Sequence, residues 1–252
     1  MFPYLSLSSI VIGAITIQVW GFFVAVGVFA ALTVSLKEAH KADISDEVIW
    51  DVIILAFLGM IVGGRIFYIL SNPGKNLAVL IDVHGGFSFT GGAILAGTLS
   101  LFYLKSKKQD FRKVFDLLAP GFIVALISTR VGCFLISDHI GRITTLPWGM
   151  EFADGSFRHP VTLYEIIFLI FMLGAVYKLK AKPKRDGYIF MTFFIAYAVF
   201  RLGVDFLRCD DLSVCDVRFY GMTATQWVLS WCVLISLILY TWRGWEIRRR
   251  KT

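Results

Sequence analysis

The chain has 252 residues, enough for one large domain or two small ones, and 57% of them are hydrophobic while only 17% are charged. With a mean hydropathy of +0.72 it is too apolar for a water-soluble globule, whose charged share is nearer about a quarter. The formal net charge of +7 then points to anionic membrane lipids as partners and away from nucleic acid.

The composition implies an all-α integral membrane protein, read as a single polytopic domain over residues 1–252. Seven segments, 14–36, 48–70, 87–104, 117–136, 161–178, 188–207 and 224–242, reach the roughly 20 residues that cross a bilayer core. The apolar run 76–83 is too short to span and reads as interfacial or re-entrant. Lys37, Lys41, the basic residues from Lys105 to Lys113 and from Lys178 to Arg185, and the tail 243–252 fall on one side, which holds 17 of the 25 Lys and Arg. Basic connections stay cytoplasmic, so the N-terminus is expected outside and the C-terminus inside. The polar insert 137–160, between the fourth and fifth spans, then faces outward.

In chain order, the first arginine within or at the end of a span is Arg65. The third span opens HGGFSFTGGAILAG, with His84 at its head and glycines that permit close approach of a helix or a lipid headgroup. Arg130 lies inside the fourth span, where an unpaired guanidinium is costly, so a functional role is the working hypothesis. Asp138, His139, Arg142, the turn at Pro147-Trp148 and the string Arg158-His159-Pro160 follow in the insert, and Tyr164 and Glu165 open the fifth span. In the sixth span, Arg201, Asp205 and Arg208 share one helical face, so Arg201 and Asp205 can pair and still offer donors to a ligand. Arg65, Arg130 and Arg201 converging toward the outer half of the membrane make a plausible anion site, because guanidinium groups bind phosphate bidentately. Cys133 and Cys232 fall in spans, where a buried, inert thiol is expected. Cys209 and Cys215 share the outward loop CDDLSVC, where an oxidising exterior favours a disulfide and Asp210, Asp211 and Asp216 keep the loop solvated.

Eight motifs in this order resemble those of the prolipoprotein diacylglyceryl transferases, bacterial inner-membrane enzymes, over residues from about 15 to about 235. They are VWGFF near Trp20, GGRIFY (63–68), GGFSFTGG (85–92), RVGCFLISDHIGR (130–142), LPWG (146–149), RHPVTLYE (158–165), FRLGVDFLR (200–208) and TATQWVLS (223–230). The resemblance implies transfer of a diacylglyceryl group from phosphatidylglycerol to the lipobox cysteine thiol of a prolipoprotein signal peptide. The products would be a thioether and glycerol 1-phosphate, and no metal or other cofactor is implied. It carries the catalytic role to Arg130 and Arg201, with Asp138 and Asp205 standing where the family more often has Glu. Phospholipid binding would fall to Arg65, Gly91, Gly92, Arg142, Trp20 and Gln226, and substrate positioning to His159, Tyr164 and Glu165. Two positions depart from the family pattern: Thr90 replaces a histidine proposed there as general base, and Cys133 replaces an asparagine. His84, His139 and Asp138 are the candidate substitutes for that base. Two other readings remain beside the transferase: a non-catalytic or differently specific phospholipid-binding protein on the same fold, and a purely structural bundle.

Overall fold

The computed structural model describes residues 7–13, 15–71, 86–152, 155–182, 185–212, 215–216, 218–223 and 225–236. Among these residues the chain is dominated by seven helices at the places of the seven expected spans. They are α1 (Val19–Lys41), α2 (Asp46–Ser71), α3 (Phe89–Ser106), α4 (Phe111–Leu135), α5 (Val161–Lys180), α6 (Tyr188–Asp205) and α7 (Thr225–Ser236). Five of them, α1, α2, α4, α5 and α6, are long and apolar enough to cross a membrane by length and composition. Residues 76–83, His84 and the tail 243–252 lie outside the described residues.

The first expected span starts late. Residues Ser9–Ile12 (β1) and Ile15–Gln18 (β2) pair as an antiparallel hairpin flanking Gly13, whose φ of +60° suits a residue without Cβ. α1 therefore begins at Val19 and continues through Lys37 to Lys41, where Lys41 pairs with Glu38 at 2.8 Å. α4 likewise begins at Phe111, six residues before the expected limit, and carries Pro120 within it. Hydropathy marks where a helix can meet lipid, whereas its ends are set by hydrogen bonding, and charged flanking turns remain helical.

The chain divides into two compact units: residues 32–118, and residues 1–31 together with 119–252. In the first, Leu32, Ala39, Val48, Ile49, Val52, Leu104, Val114 and Leu117 form an apolar cluster. There α2 and α3 approach through glycines. A Cβ on Gly59 would stand 2.6 Å from the Ala96 Cα, one on Gly63 2.5 Å from the Gly91 carbonyl oxygen, and one on Gly92 2.7 Å from that of Met60. Any side chain at these positions would force the helices apart.

In the second unit, α4, α5 and α6 pack around Ala119, Ile123, Leu169, Met172, Val176, Ile189 and Phe193. Phe168 of α5 stacks on Phe200 of α6 with ring centroids 3.9 Å apart. Polarity on α5 is inverted relative to a water-soluble helix. Ile167, Ile170 and Phe171 face outward, while Thr162 and Glu165 are buried. An outward apolar face with inward ionisable groups is the arrangement lipid selects. Three short ladders complete this unit: the hairpin already described, Met150–Glu151 (β3) with Phe157–Arg158 (β4), and Arg218–Phe219 (β5) with Met222–Thr223 (β6).

Candidate active site

Three helix ends of the larger unit meet around one carboxylate. Glu165 lies in the first turns of α5 and is fully buried. Its Oε2 receives Arg130 Nε from the last turns of α4 at 2.8 Å, and its Oε1 lies 3.1 Å from Arg201 Nη1 on α6. The Tyr197 hydroxyl donates to the same Oε2 at 3.3 Å. A lone carboxylate here would cost several kcal/mol of desolvation, and two guanidinium groups offset that only because both reach it. Glu165 thus binds the two candidate catalytic arginines to each other. It is the one acid in the fifth expected span, 161–178, and that was the signal that could have found this role.

The network continues along the face expected from the sequence. Arg201 Nη2 pairs with Asp205 Oδ1 at 3.3 Å, and Arg208 Nη1 reaches Asp205 Oδ1 at 3.4 Å and Asp216 Oδ2 at 2.5 Å. The other oxygen of Asp205, which is itself fully buried, accepts from the Thr223 hydroxyl at 2.5 Å. Asp138 reaches Arg130 indirectly, through His139. Asp138 Oδ2 lies 3.0 Å from His139 Nδ1, and His139 Nε2 lies 2.9 Å from Arg130 Nη1. Burial alone would raise the Asp138 carboxyl, but the hydrogen bonds from His139, the charge His139 carries when protonated, and the charge of Arg208 outweigh it and hold it below the usual aspartate value. A cavity of about 170 Å³ opens here, lined by Asp138, His139, Arg208 and Asp216 and by the disulfide. Its charged wall is therefore Asp138, Arg208 and Asp216, while Arg130 and Arg201 converge on Glu165 behind it.

The loop after α6 is tied to the insert by two acid–arginine pairs and braced internally by a third, so its aspartates do more than keep it solvated. Arg158, 1% exposed, donates from Nη1 and Nη2 to the two Asp211 oxygens at 2.9 and 2.8 Å. Arg142 pairs with Asp210, and Arg208 with Asp216. Backbone bonds add to this, from Arg142 N to Leu207 O (2.8 Å) and from Cys209 N to Ile140 O (2.9 Å). Cys209 and Cys215 are joined as a disulfide that closes this loop, with Cα atoms 5.5 Å apart. Replacing both cysteines with serine is expected to lower stability by about 2–3 kcal/mol, on a loop-entropy argument. Thermal unfolding in detergent checks this, and an unchanged midpoint would count against it.

The remaining candidates are placed differently. Gly91 and Gly92 are buried against α2, where helix packing accounts for them: a Cβ on Gly91 would stand 2.0 Å from that of Phe67. Arg65, in the same unit, donates to the Gly86 carbonyl at 3.2 Å. Gln226 is fully buried and forms a capping box at the start of α7, its Oε1 accepting from Thr223 N at 2.8 Å while Thr223 Oγ1 accepts from Gln226 N at 3.2 Å. Trp20 is exposed in the first turn of α1. The Tyr164 hydroxyl accepts from Trp148 Nε1 at 2.9 Å and meets His159 Nδ1 at 3.1 Å, and burial pushes the His159 imidazole below its ordinary value, favouring its neutral form. Cys133, Asp138 and His139 bring possible ligand atoms within 4.8 Å of one another. However, Arg130 Nη1 stands 2.9 Å from His139 Nε2 and 3.9 Å from Cys133 Sγ, so a guanidinium holds the ground that a cation would need.

Comparison with known proteins agrees with this architecture. The family model described as prolipoprotein diacylglyceryl transferase matches residues 8–242. Among curated relatives named phosphatidylglycerol–prolipoprotein diacylglyceryl transferase, one from Finegoldia magna is 31% identical, covering 87% of this chain and 90% of the relative. Another from Vibrio atlanticus is 31% identical over 96% of this chain and 92% of the relative. A third, from Clostridium tetani, is 29% identical over 88% of this chain and 91% of its own length. A match spanning nearly the whole chain, on helices long and apolar enough to cross a membrane, shows that this multi-pass protein belongs to the prolipoprotein diacylglyceryl transferase family.

Proposed function

We propose that the chain transfers the diacylglyceryl group of phosphatidylglycerol to the lipobox cysteine of a prolipoprotein signal peptide, at the outer face of a bacterial inner membrane. The observation that carries this reading is the pair Arg130 and Arg201, delivered by two helices to one buried carboxylate. The acceptor thiol first gives up its proton to solvent water, because the thiolate is the nucleophile. Its sulfur attacks the glycerol carbon that bears the phosphate ester. The C–S bond forms as the C–O bond breaks, and the phosphate departs with the headgroup glycerol as glycerol 1-phosphate. Negative charge grows on the leaving phosphate, and guanidinium donors fixed beforehand stabilise it without reorganising. Arg130 and Arg201 are assigned that role. Glu165 and Asp205 hold them in position, and Asp138 acts on Arg130 through His139. Trp20 and Arg142 remain candidates for contact with the lipid.

The test is release of glycerol 1-phosphate from phosphatidylglycerol in the presence of a lipobox peptide. Release that requires the peptide's cysteine supports the transferase. Lipid binding without release would favour a carrier on the same fold and would sink the proposal. The orientation has its own check. A reporter fused after Thr252 is expected to be active only on the cytoplasmic side, following the distribution of Lys and Arg. Activity only outside would overturn the orientation.

A further inference from the structure

The candidate bases include His139, and its surroundings give it a different task. It follows α4 in the turn where Ser137 and His139 both adopt left-handed backbone, with φ of 53° and 64°. This conformation is uncommon outside glycine. Asp138 grips it twice, with Oδ1 accepting the His139 backbone N–H at 2.9 Å and Oδ2 lying 3.0 Å from Nδ1. A carboxylate facing Nδ1 calls for a proton there, which leaves Nε2 as the lone-pair nitrogen. That lone pair faces a donor, Arg130 Nη1, at 2.9 Å. One tautomer satisfies both neighbours: Nδ1–H donates to Asp138, and Nε2 accepts from Arg130.

We propose that His139 is a positioning residue for Arg130 and makes the active site acid-sensitive: neutral, it holds the guanidinium as a hydrogen-bond acceptor, and protonated, it releases it. This rests on the proposed function, in which Arg130 binds the leaving phosphate. Protonation at Nε2 replaces an acceptor by a donor and sets a second positive charge against a guanidinium that cannot shed its own. The Asp138 carboxylate attracts an imidazolium at Nδ1, but the groups facing His139 leave the clash of donors at Nε2 in place. On α4 these are Arg130 and Cys133. In its own turn there is Asp138, already engaged at Nδ1. From the loop after α6, Arg208 and Asp216 line the same cavity, with the Arg208 guanidinium already bonded to Asp216. Glu165 and Tyr197 act on Arg130 from the far side, through Glu165 Oε2. Nor does His139 serve as the base, since the lone pair that a base would use is already given to Arg130.

The experiment compares His139→Gln, His139→Leu and His139→Lys with the unmodified enzyme by peptide-dependent glycerol phosphate release from about pH 5.5 to 8.5. Gln offers Arg130 an uncharged acceptor that does not titrate, Leu offers none, and Lys fixes the positive charge. The acceptor thiol titrates alike in every assay, so it cancels in the ratio of variant to unmodified rate. At pH 8, His139→Gln should retain more turnover than His139→Leu, which isolates the acceptor role. Its ratio to the unmodified enzyme should climb on the order of tenfold as the pH falls. His139→Lys should lose on the order of a hundredfold at every pH. A ratio flat with pH, or a Gln variant no better than Leu, overturns the proposal. Should His139→Lys fail to fold, the Gln and Leu comparison decides alone. Arg130→Ala separates the layers. Retained turnover there defeats the site assignment itself, whereas an inactive Arg130→Ala with a flat Gln ratio defeats only the role given to His139.

Discussion

Glu165→Gln is expected to reduce transfer by at least about a hundredfold. The amide keeps the shape of the side chain but removes the charge that Arg130 approaches at 2.8 Å and Arg201 at 3.1 Å. Two guanidiniums would then face each other in a buried site, and neither can deprotonate to relieve the repulsion. Breaking a buried pair in this way costs about 3–5 kcal/mol, so unfolding in detergent should also occur at lower temperature. Glu165→Asp keeps the charge but sits one methylene short, and it should retain one arginine contact and an intermediate activity. Glycerol phosphate release together with thermal unfolding checks both. A Gln variant with turnover within a few-fold of the unmodified enzyme would mean that the two arginines do not act as a unit.

Arg201→Lys should also lose most activity, on the order of tenfold to a hundredfold, although the charge is kept. The two ends of the Arg201 fork have separate partners, with Nη1 beside Glu165 and Nη2 beside Asp205. A single ammonium cannot occupy both places, so one carboxylate loses one of its partners and the phosphate loses a donor. The loss of stability should be smaller than for Glu165, because Arg208 and Thr223 still reach Asp205. Near-normal turnover in the Lys variant would show that point charge alone suffices, and would sink the assignment of a bidentate phosphate contact.

How far the site was legible in the sequence depended on the distance over which each pairing acts. Arg201 and Asp205 are four residues apart on one helix, so their pairing follows from helical spacing alone. The positions of the seven helices were equally plain, because an apolar run of membrane length leaves little choice of conformation. Their ends were not. Residues 15–18 are apolar enough to read as helix, but they form β2, Ile15–Gln18, in a hairpin with a chain segment that hydropathy does not distinguish. The bridging role of Glu165 depends on the rotation of three helices about their axes, which no local pattern encodes. The acidic loop read as solvated because the partners of Asp210 and Asp211 stand 68 and 53 residues earlier in the chain. Gly91 and Gly92 suited a helix or a headgroup equally well in the sequence, and the structure packs both against α2.

Those same separations bear on the order in which the molecule is built. Arg142 and Arg158 are synthesised well before Asp210 and Asp211, with α5 and α6 in between. At about 5–20 residues per second, the ribosome leaves the buried Arg158 without its carboxylate for roughly 3–10 s. During that interval the segment between α4 and α5 can form its own β3–β4 ladder but lacks the carboxylates that Arg142 and Arg158 meet in the finished fold. Its pairing with the loop after α6 requires that α6 and the residues up to Asp211 have been made. The pocket beside Asp138 and Arg208 is therefore one of the last features to form, and a nascent chain halted before residue 209 holds every candidate catalytic side chain yet lacks the loop that completes it.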